Sequence, residues 1–236
     1  MNKHLNKLTH ALCLFLFLIN VSAFSQSSSN KTGNWTMFFG QLRLHDKWSI
    51  HTEAQYRDYG IFDEAEQILL RSGINFHLQS SSSLSAGYAR VNSYTDNDEL
   101  MESPHSSENR IWQQFLMRNN LGRFIFEHRY RLEQRWKQTN DNIQYLNRIR
   151  YLLRITVPLN KQKIEKNTLF LSLYDEVFIH FSSPPFDRNR LYGAIGYQFI
   201  PNANIQIGYL AQTVNTTTKH YLQAAIFYNI DFRKKE

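Results

Sequence analysis

One cysteine, five prolines and nine glycines among 236 residues leave several kinds of protein without material. The lone cysteine, Cys13, lies in a short apolar run near the start, so neither a disulfide framework nor a thiolate nucleophile is expected beyond it. No apolar run reaches the roughly 20 residues that a spanning helix needs, which excludes a helical inner-membrane protein. The nine histidines are scattered, without His-x-x-x-His or clustered-carboxylate spacing, so no metal site is expected. A glycine-rich phosphate loop is also missing, and no cofactor is expected.

What the chain does have begins with its first residues. Lys3 and Lys7 precede an apolar run at 11–21, and Ala23-Phe24-Ser25 before Gln26 has the small-x-small pattern of a cleavage site. Residues 1–25 therefore read as a secretory signal peptide. Leu12 before Cys13 is too bulky for the small residue of a lipoprotein signal. Residues 26–236 then carry 25 basic against 20 acidic side chains, and neither a linker nor a low-complexity block divides them. They read as one domain.

The stretch 123–137 shows its architecture. Phe124, Phe126, Tyr130, Leu132 and Trp136 fall on one side of a strand, with His128 and Gln134 among them; Glu127, Arg129, Arg131, Glu133, Arg135 and Lys137 fall on the other. A period of two over that length, with aromatics near both ends of the apolar side, is what a membrane β-barrel needs. The same two faces recur at 48–59 and 142–157, where Arg148, Arg150 and Arg154 share the polar side. Mean hydropathy of −0.50 with 14% aromatic residues suits a barrel, whose strands carry a polar residue for every apolar one. The basic balance would otherwise suggest nucleic acid, but alternating strands assign the arginines to a lumen.

Extended segments are expected near 34–44, 48–59, 66–78, 83–95, 108–119, 122–137, 142–157, 168–181, 188–200, 203–214 and 219–232. All five prolines fall between them or at their ends, as a missing ladder donor demands. The fold class is an all-β, transmembrane antiparallel barrel of about 10–12 strands. Eleven segments sit uneasily with the even numbers of bacterial single-chain barrels, so a missed or merged strand is one expectation and an irregular wall another. A charge on the lipid face costs up to roughly 2–4 kcal/mol at mid-bilayer, so exposing the charged row of 122–137 would cost on the order of 10 kcal/mol. That row must face inward. Short connections at 45–47, 79–82, 119–122 and 200–202 are expected in the periplasm, and longer ones at 95–107 and 182–187 outside.

Several phrases carry a family likeness: Asn34-Trp35 leading to Asp46-Lys47-Trp48-Ser49-Ile50-His51, then Gln55-Tyr56-Arg57, Leu69-Leu70-Arg71-Ser72-Gly73 and Glu108-Asn109-Arg110-Ile111-Trp112-Gln113-Gln114. His128-Arg129-Tyr130-Arg131-Leu132-Glu133 and Phe186-Asp187-Arg188-Asn189-Arg190-Leu191-Tyr192-Gly193 continue it. Together they resemble the domain-of-unknown-function 2490 family over nearly all of 26–236. The resemblance implies an outer-membrane barrel of the kind abundant in Bacteroidota, and it implies no activity.

The candidate site is the inward charge ladder Glu127, Arg129, Arg131, Glu133, Arg135, Arg148, Arg150 and Arg154. If 139–142 form a four-residue hairpin loop, paired positions sum to 281, setting Glu133 opposite Arg148 and Glu127 opposite Arg154. The same register sets Arg131 beside Arg150, which calls for a further anion: Glu108, Glu176 or a bound ligand. A salt-bridged structural barrel or narrow pore is the first reading. The others are an anion-leaning diffusion channel, an outer-membrane lipid hydrolase built on His180-Phe181-Ser182, and a soluble periplasmic lipid carrier. The hydrolase motif lacks a following Asn-Gly, because Ser183-Pro184 stand there, and no enzyme is expected. Expected partners are the outer-membrane bilayer, its insertion machinery, which commonly reads a final strand such as 219–232, and small anions. The acidic loop at 95–107, with Asp96, Asp98, Glu99 and Glu102, offers cation bridging to lipopolysaccharide as a further use. Gly87-Tyr88, Gly196-Tyr197 and Gly208-Tyr209 read as barrel packing beside outward tyrosines.

Overall fold

Alternating apolar and polar residues build strands, and the computed structural model closes eleven of them into one barrel. The structure describes residues 28–60, 64–95 and 104–233; the signal peptide expected at 1–25 and the four acidic residues of the 95–107 loop lie outside the described residues. The strands are β1 Ser28–Arg43, β2 Trp48–Asp58, β3 Ala65–Gln79, β4 Ser82–Ser93, β5 Ser106–Leu121 and β6 Phe124–Thr139. They continue as β7 Asn142–Pro158, β8 Thr168–His180, β9 Phe186–Ile200, β10 Ala203–Val214 and β11 Thr217–Asp231. Pro158 ends β7, and the other four prolines lie in connections.

Each strand pairs antiparallel with its neighbour in sequence, and β11 returns to β1. An odd number of strands in such a meander brings the first and last in the same direction, so the closing pair must be parallel. It is, with register running unbroken from Thr32 beside His220 to Arg43 beside Asp231. The expected antiparallel barrel of 10–12 strands is found, with one parallel seam, and among the described residues that parallel pair absorbs the odd count. Phe232 N donates to Arg43 O at 2.9 Å, and Arg233 reaches Asp46 at 2.7 Å, tying the end of β11 to the first turn. Beside Arg233, the Asp46 carboxyl is held below its usual value.

Two-residue turns sit where a left-handed backbone is tolerated. Asn140 (φ 54°) joins β6 to β7, Asn215 (φ 52°) joins β10 to β11, and Gly122 (φ 60°) joins β5 to β6. Thr139 and Asn142 are themselves a ladder pair, so the β6–β7 loop has two residues and not four, with the register sum unchanged. One end of the barrel carries the short connections 44–47, 80–81, 122–123 and 201–202 together with the longer loop at 159–167, whereas the two-residue turns at 140–141 and 215–216 lie at the other end. Asn160 folds that loop back by donating to Asn167 O and accepting from Leu169 N. The other end carries 94–105, the longest connection.

The outer surface is apolar around the circumference, with Leu70, Ile74, Ile111, Ile149, Ile195, Ile207 and Ile226 all exposed. Aromatic pairs mark both rims: Trp48 with Phe76 at 4.8 Å between centroids, and Trp136 with Tyr145 at 5.2 Å. Twelve residues separate Phe124 from Trp136 along β6, about 40 Å of strand and roughly 30 Å of height at a tilt near 40°. The polar residues on this face satisfy each other: Gln113 with Gln134 reciprocally at 3.1 and 3.2 Å, and His128 with the Tyr151 hydroxyl at 2.9 Å. Two ionisable residues also lie on outward positions. Arg90 bonds Asn109 at 2.8 Å in the row of Trp136, and Asp175 accepts from Asn189 at 2.5 Å.

The interior has two unlike halves. An apolar cluster of Trp35, Met37, Leu152, Tyr174, Tyr192, Ala194, Leu210, Tyr221 and Ala225 gathers mainly on the β9–β11 and β1 walls. Across the parallel seam, Trp35 meets Tyr221 edge-on at 5.8 Å and Phe39 stacks on Phe227 at 4.7 Å. Charged side chains fill the remainder. Tyr88, Tyr197 and Tyr209 do point outward, and the glycine before the first two makes room for an inward aromatic, Trp112 at Gly87 and Phe170 at Gly196. A Cβ at Gly87 would overlap the Ser72 carbonyl oxygen and Gly73 Cα, whereas one at Gly122 would meet nothing. Urea unfolding of the barrel should therefore show Gly87→Ala losing about 1–3 kcal/mol. Gly122→Asn should lose under about 1 kcal/mol, since asparagine tolerates that turn.

Candidate functional site

The inward ladder forms because β6 and β7 present the same parity to the interior. Glu133 stands opposite Arg148, Glu127 opposite Arg154 and Arg131 opposite Arg150. Arg148 donates from Nε to Glu133 Oε2 at 3.0 Å, and Arg150 Nη1 reaches Glu133 Oε1 at 2.7 Å. Arg71 of β3 lies 3.7 Å from the same carboxylate. Glu127 accepts from Arg154 at 3.2 Å and from Arg118 at 2.7 Å.

The Arg131/Arg150 juxtaposition is resolved in two ways. Arg150 turns Nε and Nη2 to Glu176 Oε1 at 3.0 and 2.6 Å, and Arg129 reaches that oxygen at 2.7 Å. Arg131 is instead held by Gln114 Oε1, at 3.0 and 2.6 Å, and lies 4.0 Å from Glu133. Glu108 serves a different arginine pair. Arg110 and Arg135 are opposite each other on β5 and β6, and both bind Glu108, at 2.6 and 2.5 Å.

A β-bulge at the start of β9 adds Asp187. The register slips between Phe178 and Ile179, so Phe186 and Arg188 pair with β8 while Asp187 is left over. Its carboxylate takes Arg148 Nη1 at 2.6 Å and Arg188 Nη2 at 3.0 Å. His180 Nε2 approaches Asp187 at 3.6 Å, and among the described residues His180 has no hydrogen bond to Ser182. The pair that motivated a hydrolase reading is therefore not brought together.

This network is closed to solvent. Glu133 is 0% exposed, Glu176 2% and Arg148 2%. A cavity of ≈ 170 Å³ lies among Arg57, Arg110, Arg188, Arg190, Glu176 and Trp35, and a wider vestibule of ≈ 560 Å³ is lined by Asn75, His77, Ser80–Ser83 and Arg118 towards the short-turn end. Among the described residues, eleven arginines (57, 71, 110, 129, 131, 135, 148, 150, 154, 188 and 190) and Lys137 line the interior, against six carboxylates (53, 108, 127, 133, 176 and 187). Aromatic faces also receive the guanidiniums. Arg57 lies 3.6 Å from the Trp35 ring centroid, Arg190 4.8 Å, and Arg150 lies 4.3 Å from that of Phe178.

Sequence reasoning placed the β6–β7 rows but missed Arg71, Arg110, Asp187, Arg188 and Arg190 as members. The β5–β6 register was the missing signal. A turn at 119–122 pairs the wrong residues, whereas Leu-Gly-Arg-Phe with Gly122 at its left-handed position sets Arg110 against Arg135. The bulge that turns Asp187 inward has no comparable mark in the alternation.

Removing one partner of a buried ion pair strands the others. Glu133→Ala should lower the urea-unfolding free energy by about 3–5 kcal/mol. Glu127→Ala should cost about 1 kcal/mol, because the Arg118 side chain is 56% exposed and screened by water. Equal losses would sink the claim that burial sets the strength of this network.

Comparison with known proteins gives the chain its relatives. A family described as "Protein of unknown function (DUF2490)" matches residues 32–223, from β1 into β11. An uncharacterised protein of Methylorubrum extorquens is 25% identical over 224 residues, spanning 92% of this chain and 92% of its own length. No solved structure matches. The match over 32–223 covers most of the barrel, and the chain belongs to the DUF2490 family.

Proposed function

We propose that this protein is an outer-membrane β-barrel whose lumen is closed by its own arginine–carboxylate network, so that it serves as a structural barrel and not as an open pore. The observation that carries the reading is the burial of Glu133, at 0% exposure, on the inner wall of an apolar-coated barrel. Side chains lining a water-filled passage are wetted, and this one is sealed by Arg148, Arg150 and Arg71. The apolar circumference supports the bilayer as its solvent, since a monomeric soluble protein rarely exposes contiguous apolar patches beyond a few hundred Å². Rims bearing Trp48 and Trp136 match aromatic girdles.

In this reading residues 1–25 direct export, the insertion machinery acts on the final strand, and the short-turn end faces the periplasm. A soluble lipid carrier would need the reverse arrangement, an apolar cavity inside a polar shell. A lipid hydrolase would need a serine within reach of its base, and among the described residues Ser182 makes no hydrogen bond to His180. Neither chemistry nor steady transport is therefore assigned to the barrel.

Two measurements test the reading. Outer-membrane fractionation should recover a band whose gel mobility shifts on heating. Planar-bilayer recordings of the folded protein should show no steady conductance, and Glu133→Ala with Glu176→Ala should raise it. Stable ohmic steps from the wild type would overturn the closed lumen, and a soluble periplasmic fraction would overturn the membrane assignment.

A further inference from the structure

The interior holds five more arginines than carboxylates, and the surplus is not spread evenly. Of the ladder arginines where sequence placed excess positive charge, Arg129, Arg135 and Arg150 each bind a carboxylate at 2.7 Å or less, while Arg131 is held by Gln114 and comes no closer than 4.0 Å to Glu133. Two further weakly neutralised cations come from other strands and share one aromatic ring. Arg57 of β2 is 6% exposed, and among the described residues no carboxylate lies within 4.0 Å of it. Its Nη2 donates to Gln55 at 3.2 Å, and its Nε has no hydrogen-bond partner. Glu66 attracts it through space, but Lys219 holds that carboxylate at 3.1 Å and Tyr221 at 2.9 Å. Arg190 of β9 donates from Nε to Gln212 at 2.8 Å and comes no closer than 3.8 Å to Glu176. Both guanidiniums lie over the Trp35 ring, and both line the ≈ 170 Å³ cavity that Arg110 and Arg188 also border.

Two buried guanidiniums of like charge on one ring repel each other, and an uncompensated buried cation is costly. An anion between them removes both penalties. Guanidinium forks present paired N–H donors that match two oxygens of an oxyanion, and a doubly charged species offsets more of the surplus than a halide. The cavity is several times the roughly 30 Å³ that one water occupies, room for a tetrahedral oxyanion with part of its water shell. We propose that Arg57 and Arg190 form an internal site for a phosphate-type oxyanion, seated beside Trp35. The site names the ligand of the closed interior proposed above but does not depend on the membrane setting. It is tested without a bilayer, so its failure and that of the conductance prediction are distinguishable.

The experiment is titration of the detergent-folded barrel with inorganic phosphate by equilibrium dialysis and thermal unfolding, starting from phosphate-free buffer. Saturable uptake near one phosphate per chain is expected, with a rise of a few degrees in the unfolding midpoint. Arg57→Gln with Arg190→Gln should weaken binding at least tenfold and abolish the rise. That double variant should still fold, because it removes two buried cations that the carboxylates reach only weakly. Arg57→Lys, which keeps the charge and loses the fork, should fall between. Absence of saturable uptake in the wild type, or equal uptake by the double variant, would overturn the site. A double variant that folds only less well than phosphate-free wild type would overturn it too, since the two arginines would then be structural.

Discussion

Five buried carboxylates of this barrel, Glu108, Glu127, Glu133, Glu176 and Asp187, each serve more than one guanidinium, and the packing of the interior depends on that sharing. The register gives no choice: Arg131 stands against Arg150 and Arg110 against Arg135, pairs that repel across a ladder. A carboxylate offers about four lone-pair sites, enough to hold two or three arginines from different strands. Glu133 joins β7 to β3, Glu176 joins β6, β7 and β9, and Glu108 joins β5 to β6. Repulsion within one ladder thereby becomes cross-bracing between walls. Aromatic faces complete the arrangement, for Trp35 and Phe178 carry guanidiniums that the carboxylates reach weakly or not at all.

The odd strand count shapes the other half of the interior. Parallel pairing is slightly weaker per residue than antiparallel, so the β1–β11 seam is the wall with most to gain from side-chain packing. That is where the interior turns apolar, with Trp35 on Tyr221 and Phe39 on Phe227 across the seam itself. Ion pairs brace the strands around β6, and stacked rings brace the closure. The two materials meet at Trp35, which packs against the seam and also carries Arg57 and Arg190.

Strand positions were legible almost to the residue because alternation and proline exclusion are local. β2, β8 and β10 begin where the pattern begins. The β6–β7 pairing was legible as well, since opposite charges and both faces agreed on one register, and Glu133 does meet Arg148. Closure was not legible: nothing local to β1 or β11 says that they pair in parallel. Nor were contacts between strands distant in sequence, such as Arg71 with Glu133, which depend on barrel circumference and tilt. Asp175 marks another limit, an outward carboxylate made tolerable by Asn189 on the next strand, a partner that alternation within β8 cannot reveal.

The same alternation explains where the chain's basic character resides. Residues 26–236 carry 25 basic and 20 acidic side chains, an excess of five, and among the described residues eleven arginines and Lys137 line the interior against six carboxylates. The surplus in the interior is thus at least as large as that of the whole of 26–236. A basic surface draws polyanions over a Debye length, but charge enclosed by a packed wall acts over a few ångströms on what enters. The positive balance of this protein is thus a property of the space it encloses, which is why its chemistry is to be sought beside Trp35 and not on its loops.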